Sequence, residues 1–281
     1  MAFELPESIV ISSQMDNELK GKKIEKAYMD PKECASQIKQ GFINLQPPDF
    51  EKTVTGKTIR SVTNRGKGIY VQLEKNLYLV YSLETSGYIL YHTNRDNLPP
   101  RWNTRLDFTD GTTLTVKIIA WGFSQVLTTD QLKTHKYLGK EEISLIDENE
   151  FTFDVFNDFL ESYSSKPIKF ILIRQGEEMS GIGNGYLQDI LFKAKIHPKR
   201  KARDIPASER KKLYKIILKI LTDSVKKGGR DTEFDLYGNP GGYRVILDKR
   251  MKDQPCPKCG TTIQKSNILG STCYVCPECQ K

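Results

Sequence analysis

The sequence predicts an α+β, multidomain protein with a β-rich N-terminal domain, a basic helical domain and a short terminal metal-binding domain. Three observations carry this prediction. Residues 58–127 hold a series of strand-like segments, residues 193–230 hold a strongly basic helical pattern, and five of the six cysteines lie within the last 26 residues. We place the three domains at residues 1–140, 150–245 and 250–281.

The composition excludes several classes of protein. The chain has 281 residues, of which 38% are hydrophobic and 28% charged, so it has enough apolar material for a core. No apolar run approaches the ~20 residues that a membrane helix needs. Glu4 and Glu7 stand where a secretory leader would carry Lys or Arg, so we expect no export signal. A membrane protein, a secreted disulfide scaffold and a fibrous protein are therefore not expected.

The N-terminal domain begins with a helix. Residues 6–20 place Pro6 in the first turn and Ile11, Met15 and Leu19 on one stripe, with Gly21 just past the end. Proline is favoured at the start of a helix and glycine after its end. This segment therefore predicts one amphipathic helix.

Strands follow the first helix. Residues 68–73, 77–83 and 88–93 are β-branched and aromatic runs separated by short polar turns. The segments RLDFT and TTLTVKI flank Asp110-Gly111, which is a strong hairpin signal. An antiparallel β structure is therefore expected in this domain.

The helical domain carries a local excess of positive charge. After Ser165 the pattern becomes helical, and Tyr214, Ile217, Leu218 and Leu221 follow the spacing of one buried helix face. Residues 193–230 contain 14 Lys/Arg and three acids, a net charge of +11, although the whole chain carries only +8. Binding to a phosphate backbone requires such an excess. A solvated helix face is the alternative.

The C-terminal cysteines have the spacing of a four-thiolate zinc ribbon. Two CxxC pairs, separated by 16 residues, supply the ligands Cys256, Cys259, Cys276 and Cys279. Four thiolates leave no open coordination position, so one structural Zn²⁺ is expected. Disulfides are the alternative, and the absent export signal disfavours them. Cys273 breaks the pairing, and we interpret it as a bystander.

A glycine-rich segment precedes the basic stretch. In Gly181-Ile182-Gly183-Asn184 the two glycines permit close backbone approach, and Asn184 lies where a helix start can hold a phosphate. The motif alone is weak, because a glycine-rich helix start is more often a plain connection. Its position just before the basic residues favours a phosphate site.

Together these segments resemble the Fpg/Nei family of DNA glycosylases. GIGNGYLQDILFKAKIHP (181–198) is similar to the family's helix-two-turn-helix signature, and residues 256–280 have its zinc-finger spacing. Glu4-Leu5-Pro6-Glu7 resembles the family's N-terminal ELPE, and Asn64-Arg65-Gly66-Lys67 resembles its RGK turn. The resemblance covers essentially the whole chain.

The resemblance implies a fold and a mechanism. Family members have an N-terminal β-sandwich with flanking helices, a helix-two-turn-helix domain and a zinc finger, and they bind double-stranded DNA. They extrude a damaged nucleotide, since a stacked base hides its C1′ atom. The amine of an N-terminal proline attacks C1′, forms a Schiff base and eliminates the phosphates. The expected activity is therefore that of a DNA glycosylase/AP lyase in base-excision repair.

Carried over by position, the resemblance assigns roles to individual residues. Glu4 takes the acid/base role, Glu7 supports it, and Lys67 and Asn184 hold phosphates beside the lesion. Lys199 and Arg203 are expected to contact the DNA backbone. In isolation, the two glutamates would be read as caps of the first helix, and Lys67 as an ordinary turn lysine.

The N-terminus departs from the family pattern. The family's nucleophilic proline directly precedes ELPE, and here Phe3 occupies that position, where its nitrogen is an amide. If Met1 is removed, Ala2 supplies a primary amine one residue further out, up to about 3.5 Å along an extended chain. Such a displacement matters, because attack tolerates little misplacement. We therefore name Ala2 as the candidate nucleophile, with Lys67 as the alternative.

Other departures concern DNA contacts. Ser271 stands where the family's zinc finger carries an arginine, and residues 84–87 replace a turn that contributes a methionine wedge. Trp121 or Phe123 could serve as the wedge that fills the vacated stack, although an aromatic at a strand end is more often core. Asp189 replaces a glutamate.

We expect a repair enzyme acting on oxidised bases or abasic sites. The alternative is a damage- or structure-specific DNA-binding protein on the same fold without amine chemistry, and a zinc-ribbon RNA-binding or transcription module is a third possibility. We expect a monomer, no membrane partner, and a location in the cytoplasm (nucleoid) of a bacterium or the nucleus of a eukaryote.

Overall fold

The computed structural model describes residues 3–84, 86–138, 143–173 and 179–281. Its contacts group the chain into two compact units, one of residues 1–140 and 227–242, and one of residues 141–226 and 243–281. The first unit therefore contains a segment that follows the long helix of the second. The three domain boundaries predicted from the sequence stay predictions.

The first unit contains four helices and eight strands among its described residues. In chain order they are α1 (Leu5–Leu19), β1 (Ile24–Met29), α2 (Pro31–Lys39), α3 (Pro47–Val54), β2 (Ser61–Arg65), β3 (Gly68–Glu74), β4 (Leu77–Ser82), β5 (Ser86–His92), β6 (Thr104–Phe108), β7 (Thr113–Ile119), β8 (Phe123–Thr128) and α4 (Thr129–Thr134). The predicted first helix and the predicted strands are all present, within one or two residues of their expected ends.

The strands form two four-stranded antiparallel sheets. One sheet has the order β1-β6-β7-β5 and the other β2-β3-β4-β8. The hairpin predicted at Asp110-Gly111 joins β6 to β7, and Gly111 adopts φ 88° there, which a side chain would disfavour. One hydrophobic core includes residues of both sheets and the apolar stripe of α1, namely Ile11, Met15 and Leu19. The predicted β-sandwich with flanking helices is therefore confirmed.

The second unit is helical and ends in a hairpin. Its described α-helices and strands are α5 (Phe153–Ser162), α6 (Ile168–Leu172), α7 (Asn184–Ala194), α8 (Ala207–Lys226), β9 (Gln264–Ile268) and β10 (Ser271–Val275). Of the predicted stripe on α8, Ile217 and Leu221 are buried and Tyr214 and Leu218 are half-buried, while the lysines of this helix are exposed. None of the helices in the described ranges combines the length and apolarity that a membrane crossing requires.

Candidate active site and metal centre

The start of α1 brings two glutamates together. Glu4 is the N-cap residue and forms a capping box with Glu7, in which the backbone N–H of Glu4 donates to Oε2 of Glu7 at 3.0 Å. Both residues are buried, at 1% and 2% exposure. A buried carboxylate is costly unless it is paired. The capping role considered from the sequence is therefore real, but capping alone does not explain two buried acids.

The guanidinium of Arg230 provides the positive charge that pairs with the two buried glutamates. Its Nη1 donates to Oε1 of Glu4 at 3.0 Å, and its Nε and Nη2 donate to the two carboxylate oxygens of Glu7 at 3.2 Å each. Its backbone N–H also donates to Oε1 of Glu7 at 3.0 Å. The arginine side chain is only 5% exposed. A single guanidinium therefore binds both of the carboxylates that the sequence singles out.

Glu233 adds a third acid to this cluster. Its Oε1 lies 3.7 Å from Nη2 of Arg230, and its Oε2 has no hydrogen-bond partner among the described residues. Burial raises the pKa of Glu233 to about 8, because the charged form loses its hydration. This carboxyl is therefore largely protonated at neutral pH.

Two glycines let Arg230 reach the start of α1. Gly229 has φ 93°, and a Cβ there would lie 3.2 Å from Oε1 of Glu7. A Cβ on Gly241 would lie 2.3 Å from the carbonyl carbon of Gly229, so the segment closes on itself at that point. A side chain at Gly241 would therefore clash with backbone atoms, and a side chain at Gly229 would be disfavoured by the positive φ.

The segment 228–242 is anchored to the first unit. The backbone N–H of Leu236 donates to Oε1 of Gln14, and that of Tyr91 donates to the carbonyl of Leu236, at 3.0 and 2.9 Å. The Tyr237 hydroxyl donates to Glu18 at 2.8 Å. These contacts fix Arg230 and Glu233 at the start of α1.

Lys67 lies on the turn between β2 and β3. The Ser8 hydroxyl of α1 donates to the carbonyl of Gly66 at 2.6 Å, which holds this turn against the helix that carries Glu7. The Lys67 ammonium lies 3.4 Å from Oε2 of Glu84, and both side chains are largely buried. The turn therefore brings a lysine to the same helix as the carboxylates.

Phe3 is part of the core. It is 3% exposed, and its backbone N–H donates to the carbonyl of Leu83 at 2.9 Å. This nitrogen is an amide within the chain, so it cannot serve as a nucleophile. Met1 and the candidate nucleophile Ala2 lie outside the described residues, as does Thr85 of the 84–87 turn.

The structure separates the two wedge candidates on the β7–β8 turn. Trp121 is 62% exposed, and its ring makes an edge contact with Phe42 at a centroid distance of 5.6 Å. Phe123 is half-buried and packs on a cluster that includes Tyr70 and Val80. An exposed aromatic can enter another surface, whereas a packed one stabilises its own. Trp121 is therefore the accessible aromatic of this turn.

Asn184 begins α7, as the motif predicts. Its Nδ2 donates to the carbonyl of Thr272 on β10 at 2.7 Å. On the same helix, Oε1 of Gln188 accepts from the backbone N–H of Tyr274 at 2.6 Å. These two side chains connect α7 to the terminal hairpin, a role that the sequence analysis did not consider.

A buried lysine that the sequence analysis missed also holds this hairpin. Lys169, with no exposed surface, donates to the Ser271 hydroxyl at 2.6 Å and the Ile268 carbonyl at 2.7 Å. Its Nζ also lies 3.0 Å from Sγ of Cys273. Ser271 stands in place of the family's arginine. Its hydroxyl therefore accepts a hydrogen bond from Lys169. The sequence after Ser165 predicted only helical structure, so no local signal marked Lys169.

Asp189 is a second buried anchor in this unit. Its carboxylate accepts from the backbone N–H groups of Ile246 and Leu247, at 2.9 and 2.8 Å, and from the Tyr243 hydroxyl at 3.1 Å. Burial outweighs these donors and raises the pKa of Asp189 to about 6. Asp189 therefore fastens the segment before the cysteines to α7.

The four paired cysteines converge. Their sulfur atoms all lie within 4.8 Å of one another, and the pairs Cys256–Cys279 and Cys259–Cys276 are 3.9 and 3.5 Å apart. Four sulfurs placed tetrahedrally at 2.3 Å from zinc would be about 3.8 Å apart. The cluster can hold one metal ion. Cys273 lies outside it, which fits the interpretation of this residue as a bystander.

The basic stretch is mostly exposed, but Arg200 is half-buried and two other arginines are buried. Lys199 and Arg203 lie on the surface, and Arg203 pairs only loosely with Asp204, at 3.8 Å. Arg210 is buried in an ion pair with Glu161, and Arg230 is buried in the carboxylate cluster. The count of +11 from the sequence included both arginines, and the structure shows that these two are buried. The Gly-Gly pair directly before Arg230 is the feature of the sequence that could have indicated a close packing of this segment against other residues.

Comparison with known proteins identifies the family to which this chain is related. Residues 3–117 match the family model described as the formamidopyrimidine-DNA glycosylase N-terminal domain, and residues 138–235 match the formamidopyrimidine-DNA glycosylase H2TH domain. The formamidopyrimidine-DNA glycosylase of Halalkalibacterium halodurans is 31% identical over 290 residues, covering 99% of both chains.

Solved structures agree with these matches. The Lactococcus lactis Fpg in complex with DNA containing N7-benzyl-Fapy-dG has a TM-score of 0.84 at 25% identity, with 99% of both chains covered. A second complex of the Lactococcus lactis Fpg, with DNA containing an abasic site, has a TM-score of 0.84 at 24% identity and the same coverage. The chain belongs to the formamidopyrimidine-DNA glycosylase family.

Proposed function

We propose that this protein is a DNA glycosylase with AP lyase activity that acts in base-excision repair on oxidised bases or abasic sites. The observation that carries the proposal is the buried pair Glu4 and Glu7 at the start of α1. Both acids of the family's ELPE motif are retained, and each is fixed by hydrogen bonds. The relatives named above are formamidopyrimidine-DNA glycosylases, and the structural neighbours are bound to damaged DNA.

The reaction requires an amine nucleophile and a carboxylate partner. The amine of Ala2, exposed by removal of Met1, attacks C1′ of an extruded nucleotide. The Glu4 carboxylate, whose Oε1 already accepts from Arg230, takes up a proton from the attacking amine. The bond from C1′ to the base breaks and its electron pair passes to the base. The C1′–O4′ bond of the sugar then opens to give the Schiff base, and elimination of phosphate from it nicks the strand. Lys67 is the alternative nucleophile, although its ammonium lies beside Glu84.

DNA is bound by cations and one aromatic side chain. Lys67 and Asn184 contact the phosphates beside the lesion, and the exposed residues Lys199 and Arg203 contact the backbone further away. Trp121 enters the vacated stack. We assign Phe123 to the core instead, because it is packed against Tyr70 and Val80.

The metal ion is Zn²⁺, bound by Cys256, Cys259, Cys276 and Cys279. An all-sulfur donor set with these separations suits zinc, and four thiolates leave no position for a substrate. The ion therefore stabilises the terminal hairpin, while the chemistry takes place at the carboxylates.

We propose that the protein acts as a monomer.

Borohydride trapping tests the activity. The full chain, incubated with a duplex that contains one abasic site, should form a covalent adduct after reduction and should nick the strand without it. Intact mass gives the mature N-terminus, and blocking the terminal amine should abolish the adduct. Lys67→Met is the matched variant, because it removes the alternative amine and leaves Ala2 in place.

The outcomes separate the candidate functions. Loss of the adduct in Lys67→Met, with a blocked N-terminus still reactive, would move the nucleophile to Lys67. Salt-sensitive binding to the abasic duplex without adduct or nick would identify a damage-binding protein instead. A preference for RNA over damaged DNA would contradict both.

A further inference from the structure

The buried cluster at the start of α1 contains three acids beside one arginine. Glu4, Glu7 and Glu233 face one guanidinium, that of Arg230, and each of the four side chains is at most 5% exposed. With all three acids ionised, these residues would carry a net charge of −2 away from water. Unpaired buried charge is strongly unfavourable. A proton on one of the three reduces this charge and its cost.

Hydrogen bonding identifies which acid that is. Both oxygens of Glu7 accept from Arg230, and Oε1 of Glu4 accepts from it at 3.0 Å. A carboxylate accepts hydrogen bonds only, whereas a protonated carboxyl has one O–H to donate. Glu233 lies 3.7 Å from Arg230, beyond hydrogen-bond range, and its Oε2 lacks a partner among the described residues. The proton therefore belongs to Glu233.

Of the described residues, the charged groups that face Glu233 are Arg230 on its own segment and Glu7 and Glu4 on α1. The two glutamates oppose its ionisation and the arginine favours it. Burial is the largest effect, and it raises the pKa of Glu233 to about 8. Acid and base roles are divided in this way when neighbouring carboxyls lie in different environments.

We propose that Glu233 is the proton donor to the leaving base when this site excises a damaged nucleobase. This inference rests on the proposed glycosylase function and adds a donor that the ELPE motif does not contain. The O–H of Glu233 has no acceptor among the described residues, and an extruded base offers oxygen and nitrogen acceptors. Arg230 is already near enough to pair with the carboxylate that forms.

The step is balanced in atoms and charge. The nucleophilic amine forms a bond to C1′ and gives a proton to the Glu4 carboxylate. The bond between C1′ and the base nitrogen breaks, and its electron pair passes to the base. The base takes the Glu233 proton and leaves neutral, and Glu233 becomes a carboxylate 3.7 Å from the guanidinium of Arg230. An abasic site has already lost its base, so its cleavage does not need this proton.

Glu233→Gln separates the two reactions, because glutamine keeps the shape of the acid without its ionisable proton. On a duplex with an oxidised base, excision should fall about 100-fold or more, the lower part of the range for a lost general acid. On a preformed abasic duplex, nicking and borohydride trapping should stay within about 3-fold of the parent chain. Abasic nicking thus serves as the folding control. Glu18→Gln is the matched control, since Glu18 contacts the same segment through Tyr237.

A second measurement does not depend on activity. Carboxyl ¹³C NMR of glutamate-labelled protein should show one protonated carboxyl at pH 7 that is absent from Glu233→Gln. Excision at the parental rate in Glu233→Gln, or glutamate carboxyls that all ionise below pH 6, would overturn the proposal. A parent chain that neither excises, nicks nor traps would refute the proposed function, and with it the donor role, even where the NMR signal is present.

Discussion

Arg230 and Glu4 are 226 residues apart in the sequence, yet the arginine Nη1 donates to the glutamate Oε1 at 3.0 Å in a buried ion pair. The same guanidinium binds both oxygens of Glu7. The segment that follows the long helix α8 is thus part of the N-terminal unit. Its arginine binds the two glutamates on which the proposed chemistry depends.

Arg230→Met should destabilise the N-terminal unit by about 3–5 kcal/mol, because removal of one partner leaves buried carboxylates without a counter-charge. Both tryptophans of the chain, Trp102 and Trp121, lie in this unit. Urea unfolding followed by tryptophan fluorescence therefore reports on it selectively. Arg203→Met is the control, because Arg203 is exposed and its ion pair with Asp204, at 3.8 Å, is also exposed. A change below about 1 kcal/mol in Arg230→Met would show that the cluster does not need this cation.

Glu233 should make the stability of the N-terminal unit fall as the pH rises. Its pKa is raised from 4.5 to about 8 on folding, so the folded state holds more protons than the unfolded state between these values. The stabilisation is complete below about pH 4.5 and is lost as the pH approaches 8. Glu233→Gln is neutral throughout, so its melting temperature should not show this fall.

The measurement is thermal unfolding by tryptophan fluorescence at half-unit steps from pH 5 to 8.5. Glu18→Gln should keep the parental slope. Curves that run parallel in the parent chain and in Glu233→Gln would contradict a raised pKa at this residue.

Much of the fold followed from short-range patterns in the sequence. The strands alternate or run apolar over five to seven residues, and the Asp110-Gly111 turn and the two CxxC pairs are defined by local spacing. Patterns of this kind depend on backbone geometry and ligand reach, both of which act over a few residues. They are therefore visible before any tertiary contact is known.

The parts that could not be predicted are tertiary contacts of charged residues. Arg230 stood in a run of Lys and Arg, where a solvated or DNA-facing cation is the ordinary expectation. Lys169 lies about 100 residues before the Ser271 and Cys273 that it contacts. Burial of a charge is decided by partners that a sequence window does not contain, so these residues emerged only from the structure.

Removal of the metal should unfold the terminal hairpin and leave the N-terminal unit intact. Cys256 and Cys276 belong to a small core with Phe192 and Leu247, which the proposed zinc ion supports. Cys259→Ser, or chelator treatment of the parent chain, should lower bound zinc from one ion per chain towards zero. The fluorescence-detected melting temperature should change little, because both tryptophans lie elsewhere.

Cys273→Ser is the matched control for the metal prediction. Serine keeps a hydrogen-bond acceptor beside Lys169, and Cys273 lies outside the four-sulfur cluster. This variant should retain one zinc ion per chain by elemental analysis. Loss of the metal from Cys273→Ser, with retention in Cys259→Ser, would reverse the ligand assignment.

The two aromatics of the β7–β8 turn should respond differently to truncation. Trp121 is 62% exposed, so Trp121→Ala should leave the melting temperature nearly unchanged while it weakens binding to a damaged duplex, about 10-fold for the loss of a stacking contact worth ~1–3 kcal/mol. Phe123 is half-buried, so Phe123→Ala should cost about 1–2 kcal/mol of stability, less than the ~3–5 of a fully buried phenylalanine.

Fluorescence anisotropy on labelled duplexes, with and without an abasic site, measures the binding affinity. Circular dichroism measures the stability, because its signal does not depend on Trp121. The wedge fills the space of an extruded nucleotide, so the loss in Trp121→Ala should be larger on the abasic duplex than on the intact one. A loss confined to Phe123→Ala at unchanged stability would place the wedge at Phe123. Equal losses on both duplexes in Trp121→Ala would instead make Trp121 a general contact to the DNA surface, because a side chain that does not enter the stack cannot sense a missing base.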